Sequence, residues 1–297
     1  MEKAIAKRPI EVLKEKLSAK STMETLGNAL REHKDAFVAS IIDLWSGDKA
    51  LQQCDANAII HEALRAAVLK LPLTKSLGFS YIVVFNNSVK DEKGQWHKVP
   101  TPTFVMGYKG YIQLAMRTGQ YKTINADVVY EGEVGKVDKL SGRISFDGEK
   151  KSDKVIGYFC YFELVNGFQK TLYMPVEDMA KYAINYSPSF KRAKKPTVEE
   201  LVESANANKD SKAVGWEGNF NDMALKTVIR RLLSKYGYLS VEMQNAMQGE
   251  AESAEASRND LIAENANTEV VDITKVDYEE VSDAPVEEST KEPQPEY

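Results

Sequence analysis

The residues best suited to chemistry lie between Thr103 and Ile124, where cationic and aromatic side chains alternate. The cations of this segment are Lys109, Arg117 and Lys122, and the tyrosines among them are Tyr108, Tyr111 and Tyr121. Cations hold phosphates and tyrosines can stack on bases, so the pattern is typical of a surface that grips nucleic acid by its backbone. It also fits an ordinary helix with solvated lysines and buried tyrosines. The segment alone leaves both interpretations open.

The glycines of this segment indicate which elements position the cations. Gly107 and Gly110 bracket a tight passage from a strand into a helix, and Gly119 follows an apolar run of helical spacing. That run consists of Ile112, Ala115 and Met116. We therefore predict a short helix with a basic polar face, preceded directly by a strand.

A second cationic element is predicted from Trp216 to Gly237, with Gly237 as its C-terminal cap. At about 100° per residue, apolar and basic side chains fall on opposite sides of this helix. The apolar set is Leu225, Ile229, Leu232, Leu233 and Tyr236, and the basic set is Lys226, Arg230, Arg231 and Lys235. A solvated face normally mixes acids with its bases, yet this stretch contains no acid from Lys226 to Lys235. This favours binding to a phosphate backbone.

The net charge of −5 hides an uneven distribution along the 297 residues. Of the 39 bases and 44 acids, three bases and fifteen acids lie between Gln248 and Tyr297. The preceding 247 residues therefore carry +7 and the final segment −12. The final segment is acidic and poor in aromatic residues, so we predict a functional domain over 1–247 and a disordered acidic tail over 248–297.

Composition bounds the protein class and its compartment. A hydrophobic content of 43% suits a globular protein with one sizeable core or two small ones. No apolar run approaches the ~18 residues of a membrane span, and the N-terminus is too charged for a signal peptide, so we expect a cytoplasmic protein. Cys54 and Cys160 are far apart and are predicted to be small buried side chains in a reducing compartment.

Hydrophobic periodicity predicts an α+β fold. Helices are expected over 5–17, 22–45 and 56–71, the last of them capped by Asp55. Residues 79–85 and 102–107 read as two strands joined by a long polar loop. Further strands are predicted over 122–130, 142–147, 155–164 and 168–174, with a hairpin turn at Asn166 and Gly167. We expect an antiparallel sheet, a helix over 175–186, and a mobile loop from Ser187 to Lys212.

Several kinds of catalysis lack their motifs. No phosphate-binding G-x-x-x-x-G-K-[ST] sequence occurs, and the three histidines are isolated from other metal ligands, so we expect no ATP hydrolysis and no cofactor. A metal-dependent nuclease stays conceivable because carboxylates lie in the strand-rich region, although two of them flank Gly148 in an apparent turn. These carboxylates are Asp127, Glu131, Glu133, Asp147 and Glu149.

Three segments together resemble the RecT family of phage single-strand annealing recombinases. They are LGFSYIVVF (77–85), GYKGYIQLAMRTGQYKTI (107–124), and Trp216 with MALKTVIRRLLSKYG (223–237). Their order and spacing agree with the family over about 64–243. Each segment alone would be weak, and the combination is specific.

The resemblance implies a protein of phage recombination in a bacterial host that coats single-stranded DNA, anneals a complementary strand without ATP or covalent chemistry, and works as a ring or filament. It also implies an α+β fold in which a curved antiparallel sheet is flanked by helices that line a basic groove. Implied DNA contacts are Lys109, Arg117 and Lys122 in the central motif and Lys226, Arg230, Arg231 and Lys235 in the last helix. Tyr108, Tyr111 and Trp216 are our candidates for setting the spacing of the bases.

The chain departs from the family pattern at two places. Many relatives carry a second lysine where this chain has Leu225, so that position is expected in the core. The segment 187–212, with KRAKK at 191–195, is longer than usual, which leaves its role towards DNA open. The acidic tail could bind a phage exonuclease or a host single-strand-binding protein, compete with DNA, or only improve solubility. A protective single-strand binder that does not anneal remains the main alternative function.

Overall fold

The computed structural model describes residues 8–91, 93–187, 190, 195–207 and 215–249. Four helices open the chain: α1 (Pro9–Leu17), α2 (Lys20–Leu30), α3 (Lys34–Gly47) and α4 (Ala56–Val68). The single helix predicted over 22–45 is wrong, because Arg31 adopts a φ of 52° and a short 3-10 turn separates α2 from α3. The cap at Asp55 is confirmed, since its carboxylate accepts hydrogen bonds from the backbone of Asn57 and Ala58 at 2.9 and 3.0 Å.

Two long strands, β1 (Ser80–Lys90) and β2 (Trp96–Met106), follow these helices and form an antiparallel ribbon. Their register runs without a break from the Ser80–Met106 pair to the Lys90–Trp96 pair. The predicted long polar loop is therefore wrong, because most of that segment is paired strand. The alternation of polar side chains hid these strands, since both faces of a two-stranded ribbon can meet solvent away from the core.

Helix α5 (Tyr108–Arg117) leads from the ribbon into a three-stranded antiparallel sheet. Its strands are β3 (Tyr121–Tyr130), β6 (Val155–Leu164) and β7 (Gln169–Pro175), in the order β3-β6-β7. The predicted turn between β6 and β7 is confirmed, with Gly167 at a φ of 86°. Between β3 and β6 the chain makes an excursion that contains a small hairpin of β4 (Val137–Asp138) and β5 (Arg143–Ile144).

The last described helices are α6 (Val176–Tyr186), α7 (Val198–Asn206), α8 (Phe220–Tyr236) and α9 (241–249). The loop prediction for Ser187 to Lys212 is wrong over α7. There Thr197 and Glu200 form a capping box, and Leu201 and Ala205 are buried. Of the KRAKK stretch, 191–194 lie outside the described residues. Helix α9 includes 248 and 249, the first two residues of the segment predicted as a tail, and 250–297 lie outside the described part of the chain.

The two faces of the three-stranded sheet have different surroundings. Tyr158, Cys160 and Phe162 of β6 are fully buried on one face, and α8 contacts all three strands of the sheet. On the other face Phe159 and Tyr161 are half-buried, and the ring of Phe146 stacks on Phe159 with centroids 4.5 Å apart. The predicted α+β class with antiparallel sheets is thus confirmed, with α8 as the central helix of the core. No described helix is long and apolar enough to span a membrane.

Candidate nucleic-acid interface

Glycines set the position of α5 and of its first cation. The Gly107 amide donates to the Phe79 carbonyl at 3.0 Å, and any side chain at Gly107 or Gly110 would collide with the backbone of Gly78 or Phe79. The strand-to-helix passage predicted from these glycines is therefore confirmed, and the backbone just before β1 lies directly against the start of α5. This contact projects Lys109 from the first turn of the helix.

Lys109 is exposed and sits in a mixed electrostatic environment. Its Nζ lies 5.9 Å from the centre of the Tyr108 ring. Asp222, in the first turn of α8, faces the same region. Burial of the Asp222 carboxyl raises its pKa, and the charge of Lys109 offsets part of that rise. Lys109 can thus attract a phosphate, but a nearby carboxylate weakens that attraction.

The other two cations of the 103–124 segment already have partners within the protein. The guanidinium of Arg117 donates to the carbonyls of Leu69 and Lys70 at 2.8 and 2.9 Å, which satisfies backbone groups at the C-terminal end of α4. The ammonium of Lys122 lies 2.7 Å from Glu163 on the neighbouring strand. Either side chain can bind a phosphate only by giving up these bonds.

The aromatic candidates divide in the same way. Tyr111 is 0% exposed and Trp216 is 6% exposed, with the Trp216 ring packed edge-on against Phe220. In this conformation neither ring is available for stacking on a base, so both act as core residues. Tyr108 is half-buried at the start of α5 and retains an accessible part of its ring.

The four cations of α8 are split into two rows. Lys226 and Arg230 are half-buried, and Arg230 donates to the Met247 carbonyl of α9 at 3.2 Å. Arg231 and Lys235 are exposed on a different side of the helix, where the Arg231 guanidinium lies 5.3 Å from the Tyr182 ring centre of α6. The periodicity predicted a single cationic face on α8. In the structure α9 packs beside Arg230 and interrupts that face. As predicted, Leu225 is in the core.

Sequence reasoning missed two residues beside the exposed row. Tyr236 was assigned to the apolar face, but it is 38% exposed, and its ring centre lies 5.1 Å from Lys235 Nζ. Lys170 of β7 also approaches this ring, with its Nζ 5.4 Å from the ring centre. The helical periodicity could not reveal this pair, because Lys170 reaches Tyr236 only through the packing of β7 against the end of α8.

The carboxylates considered for a nuclease serve local turns. Glu133 accepts a hydrogen bond from the Tyr130 amide at 2.7 Å, and Glu131 accepts one from the Ser152 hydroxyl at 2.8 Å. Within the described ranges no three histidine, cysteine or carboxylate side chains come together as metal ligands would. The geometry thus offers no support for two-metal hydrolysis.

The described structure is thus an α+β core with exposed cations on α5 and α8. The sequence model of the RecT family matches residues 35–267, most of the chain. The chain therefore belongs to the RecT family, whose members are DNA-binding proteins of recombination and single-strand annealing. It is 38% identical to the uncharacterized protein YqaK of Bacillus subtilis, over 86% of this chain and 77% of YqaK. It is 30% identical to Protein RecT of Escherichia coli, over 67% of this chain and 64% of that protein.

Proposed function

We propose that this protein binds single-stranded DNA and anneals it to a complementary strand without ATP, as an oligomer that serves phage recombination. The observation that carries the proposal is the acid-free run of cations in α8, of which Arg231 and Lys235 remain exposed in a chain of the RecT family. Lys109 extends the same cationic character to α5, which packs against α8.

The proposed contacts follow from the surroundings of each side chain. Lys109, Arg231 and Lys235 would meet phosphates first because they are exposed. Lys226 and Arg230 would contribute from the second row, next to α9. Tyr108 is our candidate for contact with a base, since it is only partly buried and a base–aromatic stack contributes about 1–3 kcal/mol.

Annealing needs no bond-breaking step in the protein. Cations that neutralise phosphates reduce the repulsion between two strands and hold one of them in order. Base pairing then supplies about 1.4 kcal/mol per stacked step, which drives formation of the duplex. A surface that holds the backbone and leaves base edges free is sufficient for this reaction, so neither a nucleotide nor a metal is required by the proposal.

Assembly and partners belong to the same proposal. Membership of the RecT family supports self-association on DNA as a ring or filament. The acidic residues 250–297 are proposed to contact a phage exonuclease or a host single-strand-binding protein, or to compete with DNA for the cations of α8. Deletion of these residues separates the two roles, because competition predicts tighter binding of DNA by the shortened protein.

The decisive test mixes two complementary dye-labelled oligonucleotides with the protein and follows energy transfer, with and without ATP. The proposal predicts faster pairing than in buffer and no effect of ATP. Slower pairing would identify a protector that only coats single strands, and dependence on ATP would identify a motor. Shortened products in the presence of magnesium or manganese would identify a nuclease.

A further inference from the structure

A cationic cleft lies on the opposite face of the three-stranded sheet from α8. The β4–β5 hairpin, β6 and β7 line an open cleft of about 560 Å³, which we call the hairpin cleft. Its basic lining residues are Lys136, Arg143 and Lys170, and Tyr161 lines it from β6. Cavities of a few hundred Å³ accommodate small ligands of about the size of a nucleotide.

The hairpin cleft carries an excess of positive charge. Across the described ranges, none of its three basic side chains forms an ion pair with a carboxylate within 4.0 Å. The acid in its lining, Asp138, accepts hydrogen bonds from the Leu140 amide and the Ser141 hydroxyl at 2.9 and 2.6 Å. Asp138 is thus turned towards the tip of its own hairpin. Asp138 is also the partner of Arg143 across the hairpin and offsets part of its charge, so a net positive charge remains for an anion that enters the cleft.

An aromatic ring and polar groups complete the cleft. The hydroxyl of Tyr161 donates to Gln169 Oε1 at 3.0 Å, which fixes the ring of a half-buried residue in the lining. Beside it the Lys122–Glu163 pair balances its own charge. A fixed ring next to unpaired cations is the combination that binds a base and its phosphate together.

A continuous cationic path joins the hairpin cleft to the exposed row of α8. The Tyr236 ring lies close to both Lys235 and Lys170, with Nζ-to-centroid distances of 5.1 and 5.4 Å. Lys170 also donates to the Ser141 carbonyl of the hairpin at 3.3 Å, so it belongs to both places. A strand held at α8 and a strand held in the hairpin cleft would therefore run close to each other.

We propose that the hairpin cleft is a second site for single-stranded DNA, which takes a short stretch of the incoming strand while the α5–α8 surface holds the first. This inference rests on the proposed function, because a protein that brings two strands together has a use for two separate sites. The cations would contact phosphates of the incoming strand, and Tyr161 would contact one of its bases.

The test fills the first site and then titrates the second. Protein saturated with a dT oligonucleotide is mixed with a short dye-labelled dC oligonucleotide, which cannot pair with dT, and fluorescence anisotropy gives its dissociation constant. With two cations removed and a salt slope of about 0.7 per phosphate, Lys136→Gln/Arg143→Gln should weaken dC binding about tenfold at 0.15 M salt. The affinity for dT should change less than twofold.

Matched variants exclude simpler explanations. Lys139→Gln removes a cation from the same hairpin that does not line the cleft, so its dC affinity should equal that of the wild type. Tyr161→Phe keeps the ring and should bind dC normally, whereas Tyr161→Leu should bind it at least fivefold more weakly. Circular dichroism confirms that each variant is folded.

Four results would overturn the inference. They are the absence of dC binding to the filled wild-type complex, unchanged dC binding by the double variant, an equal loss for Lys139→Gln, and an equal loss of dT affinity. Binding of dC only after deletion of 250–297 would instead assign the cleft to the acidic segment of the chain itself. Failure of the wild type to bind dT would refute the proposed function, so the two failures are distinguishable.

Discussion

The α5 region and α8 have similar basic and aromatic sequences, but the structure uses their cations differently. Around α5, Arg117 holds the end of α4 and Lys122 pairs with Glu163, which leaves Lys109 exposed above Tyr108. On α8 the apolar residues form the centre of the core, and the cations emerge in two rows along its sides. Contacts with residues distant in sequence therefore decide which cations remain available for DNA.

The largest expected effect is on the free energy of unfolding, and it should differ between two tyrosines of α5. Tyr111→Ala should lower the free energy of unfolding by roughly 3–5 kcal/mol, because the lost ring is fully buried and leaves a cavity. Tyr108→Ala should cost less than half as much and act mainly on DNA affinity. Urea unfolding followed by circular dichroism measures both. If Tyr111→Ala stays stable but no longer binds DNA, Tyr111 is a residue of the DNA interface and not of the core.

The next prediction concerns Arg117. Replacement by glutamine removes a charged group from two carbonyls of α4, and we expect about 1–2 kcal/mol of destabilisation after allowance for its solvent exposure. The same urea experiment measures the loss, with Lys109→Gln as the control that should unfold like the wild type. If Arg117→Gln keeps its stability but binds DNA weakly, Arg117 is a phosphate contact after all.

Removal of a single exposed cation should have a moderate effect on DNA affinity. Lys235→Gln should weaken binding of single-stranded DNA about fourfold at 0.15 M salt, since one phosphate contact contributes a slope of about 0.7. The control is Lys122→Gln/Glu163→Gln, which removes an ion pair without leaving a lone charge and should change affinity less than twofold. Fluorescence anisotropy measures both affinities. A larger loss of affinity for Lys122→Gln/Glu163→Gln than for Lys235→Gln would make the sheet edge the better binding surface.

The smallest effect is a dependence on pH at Asp222. Its pKa is raised by burial, so it takes up a proton at a higher pH than an ordinary aspartate, and the negative charge near Lys109 then disappears. Wild-type affinity for DNA should therefore rise as the pH falls through this pKa. Asp222→Asn should bind about twofold more tightly at pH 7 and lose that part of the pH dependence. If the affinity for DNA depends on pH in the same way for the wild type and for Asp222→Asn, Asp222 does not influence DNA binding.

Much of the fold could be predicted because local signals were strong. The β6–β7 hairpin followed from strand patterns around Asn166 and Gly167, and the passage into α5 followed from Gly107 and Gly110. Helix α7 was missed although Thr197 and Glu200 form a capping box, because the polar residues around it hid the short apolar pair Leu201 and Ala205.

The candidate site was harder to predict than the fold. Residue type identified the cations, but the partners of Arg117 lie 47 and 48 positions away and the partner of Lys122 lies 41 away. Periodicity placed Leu225 in the core correctly and Tyr236 incorrectly, since the last turn of α8 extends past the residues that cover it. The hairpin cleft has no local signature, because separate segments of the chain form it.

Exposed cations of α5 and α8 are proposed to hold the phosphates of single-stranded DNA. The most direct measurement is the affinity for a dT oligonucleotide as a function of salt concentration, for the wild type and for Lys109→Gln/Lys235→Gln. Five phosphate contacts predict a slope of log affinity against log salt of about −3.5, and loss of two contacts predicts about −2. A nearly flat dependence, or a slope that the double variant leaves unchanged, would contradict the account.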